Sequence, residues 1–382
     1  MIYLDNAATS FPKAPGVVEA IGTFLGTTAG NPGRSGHALA LGAQAMVSAT
    51  RRALATILGV PDPSRVAFTA NATDALNQAL WGLLEAGDRV ITTGMEHNAV
   101  ARPLVALGDI GVTVTRVSCA PDGTLDLADL DHALRSGPAR LVAMTHASNV
   151  TGTILPVAVA ARLAHEHGAL ILVDAAQTAG VLPIDAVAMG LDMVAVPGHK
   201  ALLGPTGTGG LYVGPGIRLR PLRQGGTGTR SEDERQPEDL PEGLEAGTLN
   251  TVGIAGLGAA LAYLAGRGLE SIRSGELALT ARLIDGLRSV PGLTVHGTGD
   301  AASQVATVSF SLEGWEPADL GAVLDGSFGI CVRAGLHCAP LAHRTIGTWP
   351  QGTVRLSPGP FTTGDEIDEA IVALGALAGA GA

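Results

Sequence analysis

The residues that could do chemistry in this chain are not scattered. Five apolar, strand-like runs are each followed at once by polar side chains. Residues 65–70 lead into Asn71, Ala72, Thr73 and Asp74, residues 89–93 into Glu96-His97-Asn98, and residues 140–145 into His146 and Ser148-Asn149. Residues 169–173 lead into Asp174 and Gln177, and residues 192–196 into Pro197-Gly198-His199-Lys200. One polar strand end is ordinary. Five in succession describe a single polar site along the rim of a sheet, since ligands of open parallel sheets lie beyond the carboxyl ends of the strands.

The residue types say which ligand. Asn71-Ala72-Thr73 opens a helix, where free backbone N–H groups and the positive end of the dipole suit a phosphate. Taken alone, Thr73 reads as well as a plain N-cap. Asp174 closes an apolar strand, and a buried carboxylate needs a cationic partner; standing alone it would be a structural ion-pair member. Most lysines are solvated surface groups, but Lys200 sits in an apolar, glycine-rich stretch where burial would depress its pKa and make it an amine nucleophile. A phosphate cradle, a strand-end carboxylate and an activated lysine together describe a pyridoxal phosphate site. The lysine forms the Schiff base, the carboxylate keeps the pyridine nitrogen protonated and the helix end binds the phosphate.

The elements that must position these groups alternate. Leu76, Ala79, Leu80 and Leu83 recur at helical spacing after the first run, and residues 157–167 repeat the pattern before residues 169–173. With further strands over 192–196 and 209–213, this rhythm predicts an α/β fold with a predominantly parallel sheet covered on both faces. Residues 224–248 break the rhythm: Gly-Gly, acids between Ser231 and Glu234, Pro237 and Pro241 make a long polar loop. Beyond it, helices over 254–264 and 269–289 and a strand over 305–311 predict a smaller C-terminal α/β domain. The expected division is a large domain over 16–250 and a small one built from 1–15 and 251–382. No internal repeat is present.

Composition narrows the class. The 382 residues allow two or three folding units at roughly 150 residues each. With 46% apolar and 15% charged residues, a large core is available and global disorder is excluded. The net charge of −11 is the wrong sign for gripping nucleic acid or anionic lipid, so neither partner is expected and any anion site must be local. The 53 glycines carry no period and signal tight turns rather than collagen. Three cysteines without a Cys-x-x-Cys pair support neither a disulfide framework nor a metal site. The first residues lack the pattern of a signal peptide. Residues 141–161 and 252–266 mimic a membrane span but read as buried core, so the expectation is a soluble, cytoplasmic protein.

Asp174-Ala-Ala-Gln177 followed by Gly198-His199-Lys200 resembles the class V aminotransferase family of fold-type I pyridoxal phosphate enzymes, and within it the cysteine desulfurases. Further blocks carry the resemblance over nearly the whole chain: Tyr3-Leu-Asp-Asn-Ala-Ala-Thr9, Gly30-Asn-Pro-Gly-Arg34, Ser148-Asn-Val-Thr-Gly152, Glu245-Ala-Gly-Thr248, Arg333-Ala-Gly-Leu-His-Cys-Ala-Pro340 and Val354-Arg-Leu-Ser357. It implies a seven-stranded large-domain sheet, Lys200 as the Schiff-base lysine and Asp174 as the pyridine partner. It further implies Gln177 on the phenolic oxygen, His97 stacked on the ring, and Ala72, Thr73 and His199 at the phosphate. Thr248, and with it Arg34, would complete the site of a neighbouring subunit, which implies a homodimer. Asn149, Arg333, Arg355 and Ala7 match substrate-orienting positions, with Arg355 suited to clamp a carboxylate. Cys338 matches the nucleophile that takes sulfur from L-cysteine, leaving a persulfide and alanine.

That last role also has a physical basis. The attacking thiolate must be ionised, accessible and mobile. Cys338 lies between glycine and proline, and Arg333 and His337 are close enough in sequence to favour the thiolate. Cys331, in an apolar run, reads as a buried inert thiol, and Cys119 as structural. Two departures stand out: Pro197 replaces a serine common at a phosphate position, and Leu336 replaces a second histidine. Only sixteen residues separate Cys338 from Arg355. Such a compact lid resembles the subgroup that depends on a dedicated sulfur-acceptor protein, as in sulfur mobilisation for iron–sulfur cluster assembly. Selenocysteine lyase activity, another C–S lyase and a class V aminotransferase stand as alternatives to L-cysteine desulfuration. An aminotransferase would have no use for the thiol.

Overall fold

A computed structural model describes residues 1–33, 36–230 and 232–380, so the expected role of Arg34 lies outside the described residues. A two-residue strand, β1 (Ile2–Tyr3), begins the chain. The β-branched, turn-bounded runs then form β2 (Val66–Thr69), β3 (Arg89–Thr93), β4 (Thr113–Val117), β5 (Leu141–Thr145), β6 (Leu170–Asp174), β7 (Met193–Pro197) and β8 (Gly209–Val213). They make one seven-stranded sheet in the order β2-β8-β7-β6-β5-β3-β4. Every pairing is parallel except the two made by β8. The sheet matches the expected class, with β4 as an edge strand not anticipated from the sequence.

The alternating directions of strand side chains feed two cores. Val142, Ile171, Val173 and Val194 point into one, shared with helices Ala38–Ile57 and Val157–Glu166. Leu141, Leu172 and Met193 point into the other, shared with Ala72–Leu83 and Asn98–Asp109. Every residue of β5 and β7 is buried, which is why these strands read as continuous apolar runs.

The C-terminal part is an antiparallel sheet. It contains β9 (Leu293–His296), β10 (Val308–Leu312), β12 (Arg333–Gly335) and β13 (Thr353–Leu356), in the order β12-β13-β10-β9, while β11 (Ile330–Cys331) pairs in parallel with β1. Leu4, Leu283, Phe310, Leu356 and Leu374 form its separate core, so the first residues of the chain are packed with the last.

Helix Thr251–Arg267 puts Ile254, Leu257, Leu261 and Leu264 into the large sheet's core, against Val47, Leu54 and Leu202. The polar loop before it also buries more than its composition suggests. Glu245 accepts from Arg51 and from the Phe68 amide, tying the loop to the sheet. No single helix among the described residues is long and apolar enough to cross a membrane.

Candidate active site

Five ends of the large sheet and the β12–β13 hairpin converge on one cavity of about 210 Å³. Lys200, Asp174, Gln177, His97, Ala72, Thr73, His199, Asn149, Arg355, Arg333, Ala7 and Cys338 all border it. Thr248 does not. It borders a separate cavity of about 580 Å³ with Gln44, Arg51 and Thr227.

Burial sets the electrostatics. Lys200 follows the turn after β7, and desolvation pulls its ammonium down to about 8 against the opposing pull of Asp174. Asp174 ends β6, and its burial raises the carboxyl above the ordinary range. Its Oδ1 accepts from the Ala176 amide at 2.9 Å, and among the described residues no ion pair closes on it. A buried carboxylate facing a cavity without a bonded cation fits a protonated pyridine nitrogen.

Asn71 caps helix Ala72–Leu83, its Oδ1 accepting from the Asp74 amide at 2.9 Å. The N-cap reading of Thr73 is therefore replaced: Thr73 is the second helical residue, with an exposed side chain at the cavity. His97 caps the next helix through Nδ1, which accepts from Ala99 N at 3.0 Å, so its neutral ring carries the proton on Nε2. Burial and the nearby Lys200 lower His97 to about 4, and the same causes lower His199 to about 4. Both imidazoles are neutral near pH 7. Gln177 is anchored by donating from Nε2 to the Ala7 carbonyl at 3.1 Å. Pro197 closes β7 opposite Gly209, where a serine hydroxyl would have stood.

The groups on the β12–β13 side of the cavity are coupled. Arg355 is buried on β13, opposite Arg333 on β12. It donates from Nη2 to Asp5 Oδ1 at 2.7 Å and from Nη1 to the Asn149 carbonyl at 2.8 Å. The Asn149 side chain in turn donates to the His337 carbonyl at 2.7 Å. Asn149 therefore holds the guanidinium with its backbone and the cysteine loop with its amide.

Cys338 is exposed and borders the cavity, yet its segment is not the loose loop expected from its glycine and proline. His337 and Cys338 both adopt left-handed backbone, φ 48° and 56°, a costly pairing for residues with side chains. It persists because both carbonyls are held, His337 by Asn149 and Cys338 by the Asn98 amide at 2.8 Å. Gly335 and Gly352 close the neck, and a Cβ on Gly352 would lie 2.3 Å from the Gly335 oxygen. His337 is buried, bonds Thr353 Oγ1 at 3.0 Å and is driven well below its ordinary pKa by desolvation. It lends no charge to the thiol, contrary to expectation. Cys331 is half-buried rather than buried, with Sγ 3.7 Å from Asp325 Oδ1, and desolvation and that carboxylate raise its pKa. Burial pushes Cys119 up to about 11.

The family model for class V aminotransferases matches residues 2–370. The chain belongs to that family. A probable cysteine desulfurase of Methanothermobacter thermautotrophicus is 36% identical over 100% of this chain and 95% of its own length. A cysteine desulfurase of Klebsiella pneumoniae is 36% identical over 98% and 92%. Among solved structures, the apo cysteine desulfurase of Thermococcus onnurineus superposes with a TM-score of 0.93 at 32% identity, covering 99% of this chain and 95% of the other. The Escherichia coli cysteine desulfurase CsdA gives 0.87 at 31%, covering 97% and 93%. Class V enzymes use pyridoxal phosphate, and the donor set around Lys200 and Asp174 suits it.

Asp5 and Glu276 escaped the sequence reading, and Glu96 was named there only as a polar residue following its strand. Asp5 was visible only as part of an N-terminal block, because its partner Arg355 lies 350 residues away. Glu96 is fully buried, accepting from Thr93 Oγ1 at 2.6 Å and from the Thr145 amide at 3.3 Å, and burial pushes it up to about 8. Its place three residues beyond Thr93, the end of β3, was the available signal. Glu276 is likewise buried, raised to about 8, and borders a small cavity that Lys200 also borders.

Proposed function

We propose that this class V enzyme is a pyridoxal phosphate-dependent L-cysteine desulfurase in which Lys200 carries the cofactor and Cys338 receives the sulfur. When bound, the cofactor withdraws electrons from the substrate and makes its side-chain sulfur electrophilic. Asp174 would pair with the pyridine nitrogen, Gln177 with the phenolic oxygen, and His97 would face the ring. Ala72, Thr73 and His199 would hold the phosphate. Arg355, with Asn149, Arg333 and Ala7, orients the substrate, and its bidentate fork suits a carboxylate. A Lys200 amine that titrates near 8 can hold or release a proton close to neutral pH. The Cys338 thiolate takes the sulfur as a persulfide, and the carbon that loses it is protonated to give alanine.

The observation that carries this reading is the convergence of Lys200, Asp174 and an exposed Cys338 on one cavity. A homodimer accords with Thr248 standing at a different cavity, where it would serve a neighbour's phosphate. We place the division between a large and a small unit near Gly268, in a cytoplasmic enzyme that hands its persulfide to an acceptor protein for iron–sulfur assembly. The test is direct. Lys200→Ala should lose borohydride-trappable cofactor, and Cys338→Ser should keep cofactor and bind cysteine yet release little sulfide. Alanine and chalcogenide formed from cysteine and from selenocysteine rank the two substrates. Persulfide formation at wild-type level in Cys338→Ser refutes the assignment.

A further inference from the structure

The chain contains 22 arginines and only two lysines, Lys13 and Lys200. Both lie at the same turn. Lys13 Nζ donates to Thr9 Oγ1 at 3.1 Å, Ser10 Oγ at 3.1 Å and the His199 carbonyl at 3.0 Å. An ammonium has three N–H donors, and three oxygens occupy them. Among the described residues no carboxylate pairs with it. The same His199 carbonyl also accepts from Thr9 Oγ1 at 3.1 Å, Ser10 Oγ at 3.2 Å and the Ser10 amide at 3.0 Å. Thr9 Oγ1 in addition bonds His199 Nδ1 at 3.1 Å.

We infer that Lys13 is a positioning residue that aims Lys200 and His199 at the cofactor. The carbonyl it holds belongs to the peptide that leads into Lys200, so fixing that plane fixes the direction in which the Lys200 side chain leaves the turn. The hydroxyl it holds, Thr9 Oγ1, fixes the His199 ring. The N-terminal segment thus acts as an external clamp on the turn. This explains a lysine in a chain that otherwise uses arginine: a planar guanidinium fork cannot present three tetrahedrally spread donors to three converging oxygens. The inference rests on the functional reading above, because it takes Lys200 as the cofactor-bearing residue.

The test measures how fast pyridoxal phosphate leaves the purified holoenzyme into an alkaline phosphatase trap, with circular dichroism of the bound cofactor as a second readout. Lys13→Met should release cofactor about tenfold faster and weaken the dichroic band, while the apo melting temperature of Lys13→Arg stays within a few degrees of wild type. Lys13→Arg should not restore retention. Release within twofold of wild type in Lys13→Met, or full rescue by Lys13→Arg, overturns the inference. Should Lys13→Met fail to fold, Ser10→Ala decides: about threefold faster release supports the clamp and an unchanged rate overturns it. Failure of the functional reading is distinguishable, since borohydride-treated wild type would then carry no cofactor on Lys200.

Discussion

Replacing Asp5 by asparagine tests whether the guanidinium of Arg355 is held in place before any carboxylate reaches it. The Arg355 side chain is 2% exposed and that of Asp5 19%, and their contact of 2.7 Å is a charge-assisted hydrogen bond. Such bonds contribute about 1.5–3 kcal/mol against about 1 for a neutral one. Asp5→Asn keeps an acceptor but not the charge, so it should cost about 1–2 kcal/mol of stability. Asp5→Ala leaves a buried cation short of its partner and should cost about 3–5 kcal/mol. The kinetic signature is more specific. Asp5 neutralises the cation that a substrate carboxylate would use, so its loss should leave KM for cysteine unchanged or lower. The arginine, held to position 5 by a weaker neutral bond in Asp5→Asn and only by the Asn149 carbonyl in Asp5→Ala, should be less well aimed. Its kcat should fall about tenfold in Asp5→Ala, the equivalent of about 1.4 kcal/mol, and by less in Asp5→Asn. Urea unfolding of the apoprotein and steady-state alanine formation measure the two effects. A tenfold rise in KM with kcat unchanged would refute the reasoning, because Asp5 would then be contributing uniform binding rather than alignment.

Glu96→Gln should separate from wild type as pH rises. A carboxyl raised to about 8 in the folded chain keeps a proton that the unfolded chain releases near its ordinary 4.5, so wild type loses stability across that window. The apo variant does not titrate there, and its stability relative to wild type should climb between pH 5 and 8 by up to about 4–5 kcal/mol; a pH-independent difference argues against a buried neutral acid. Gly352→Ala should destabilise the cysteine loop by roughly 2–4 kcal/mol, since its φ of 83° and the Gly335 carbonyl both oppose a Cβ. Gly347→Ala, at φ 78° with open space around it, carries only the backbone cost of roughly 1–2 kcal/mol; equal losses in denaturant midpoint for the two would show that the neck is not crowded.

What could be read in advance follows from the range of the forces involved. Strands β5 and β7 are buried on both faces, so their own composition announced them, and the sheet rule then placed Asn71, His97, Asn149, Asp174 and Lys200 on one rim. β4 was missed because it pairs on one side only and leaves Thr113 and Arg116 exposed. Thr251–Arg267 looked like the start of a second domain because its helical pattern does not say which core it fills. The posture of Cys338 was also hidden. Its glycine and proline neighbours suggest mobility, whereas two partners remote in sequence, Asn98 and Asn149, oppose it. The same holds on the substrate side, where Asp5, Asn149 and Arg355 meet from three distant segments. Local patterning therefore brought the strand-end residues to one cavity. The alignment of clamp and thiol is a long-range property, and because Asn149 bonds the clamp through its backbone, truncating its side chain should loosen the thiol's loop while the contact to Arg355 stays in place.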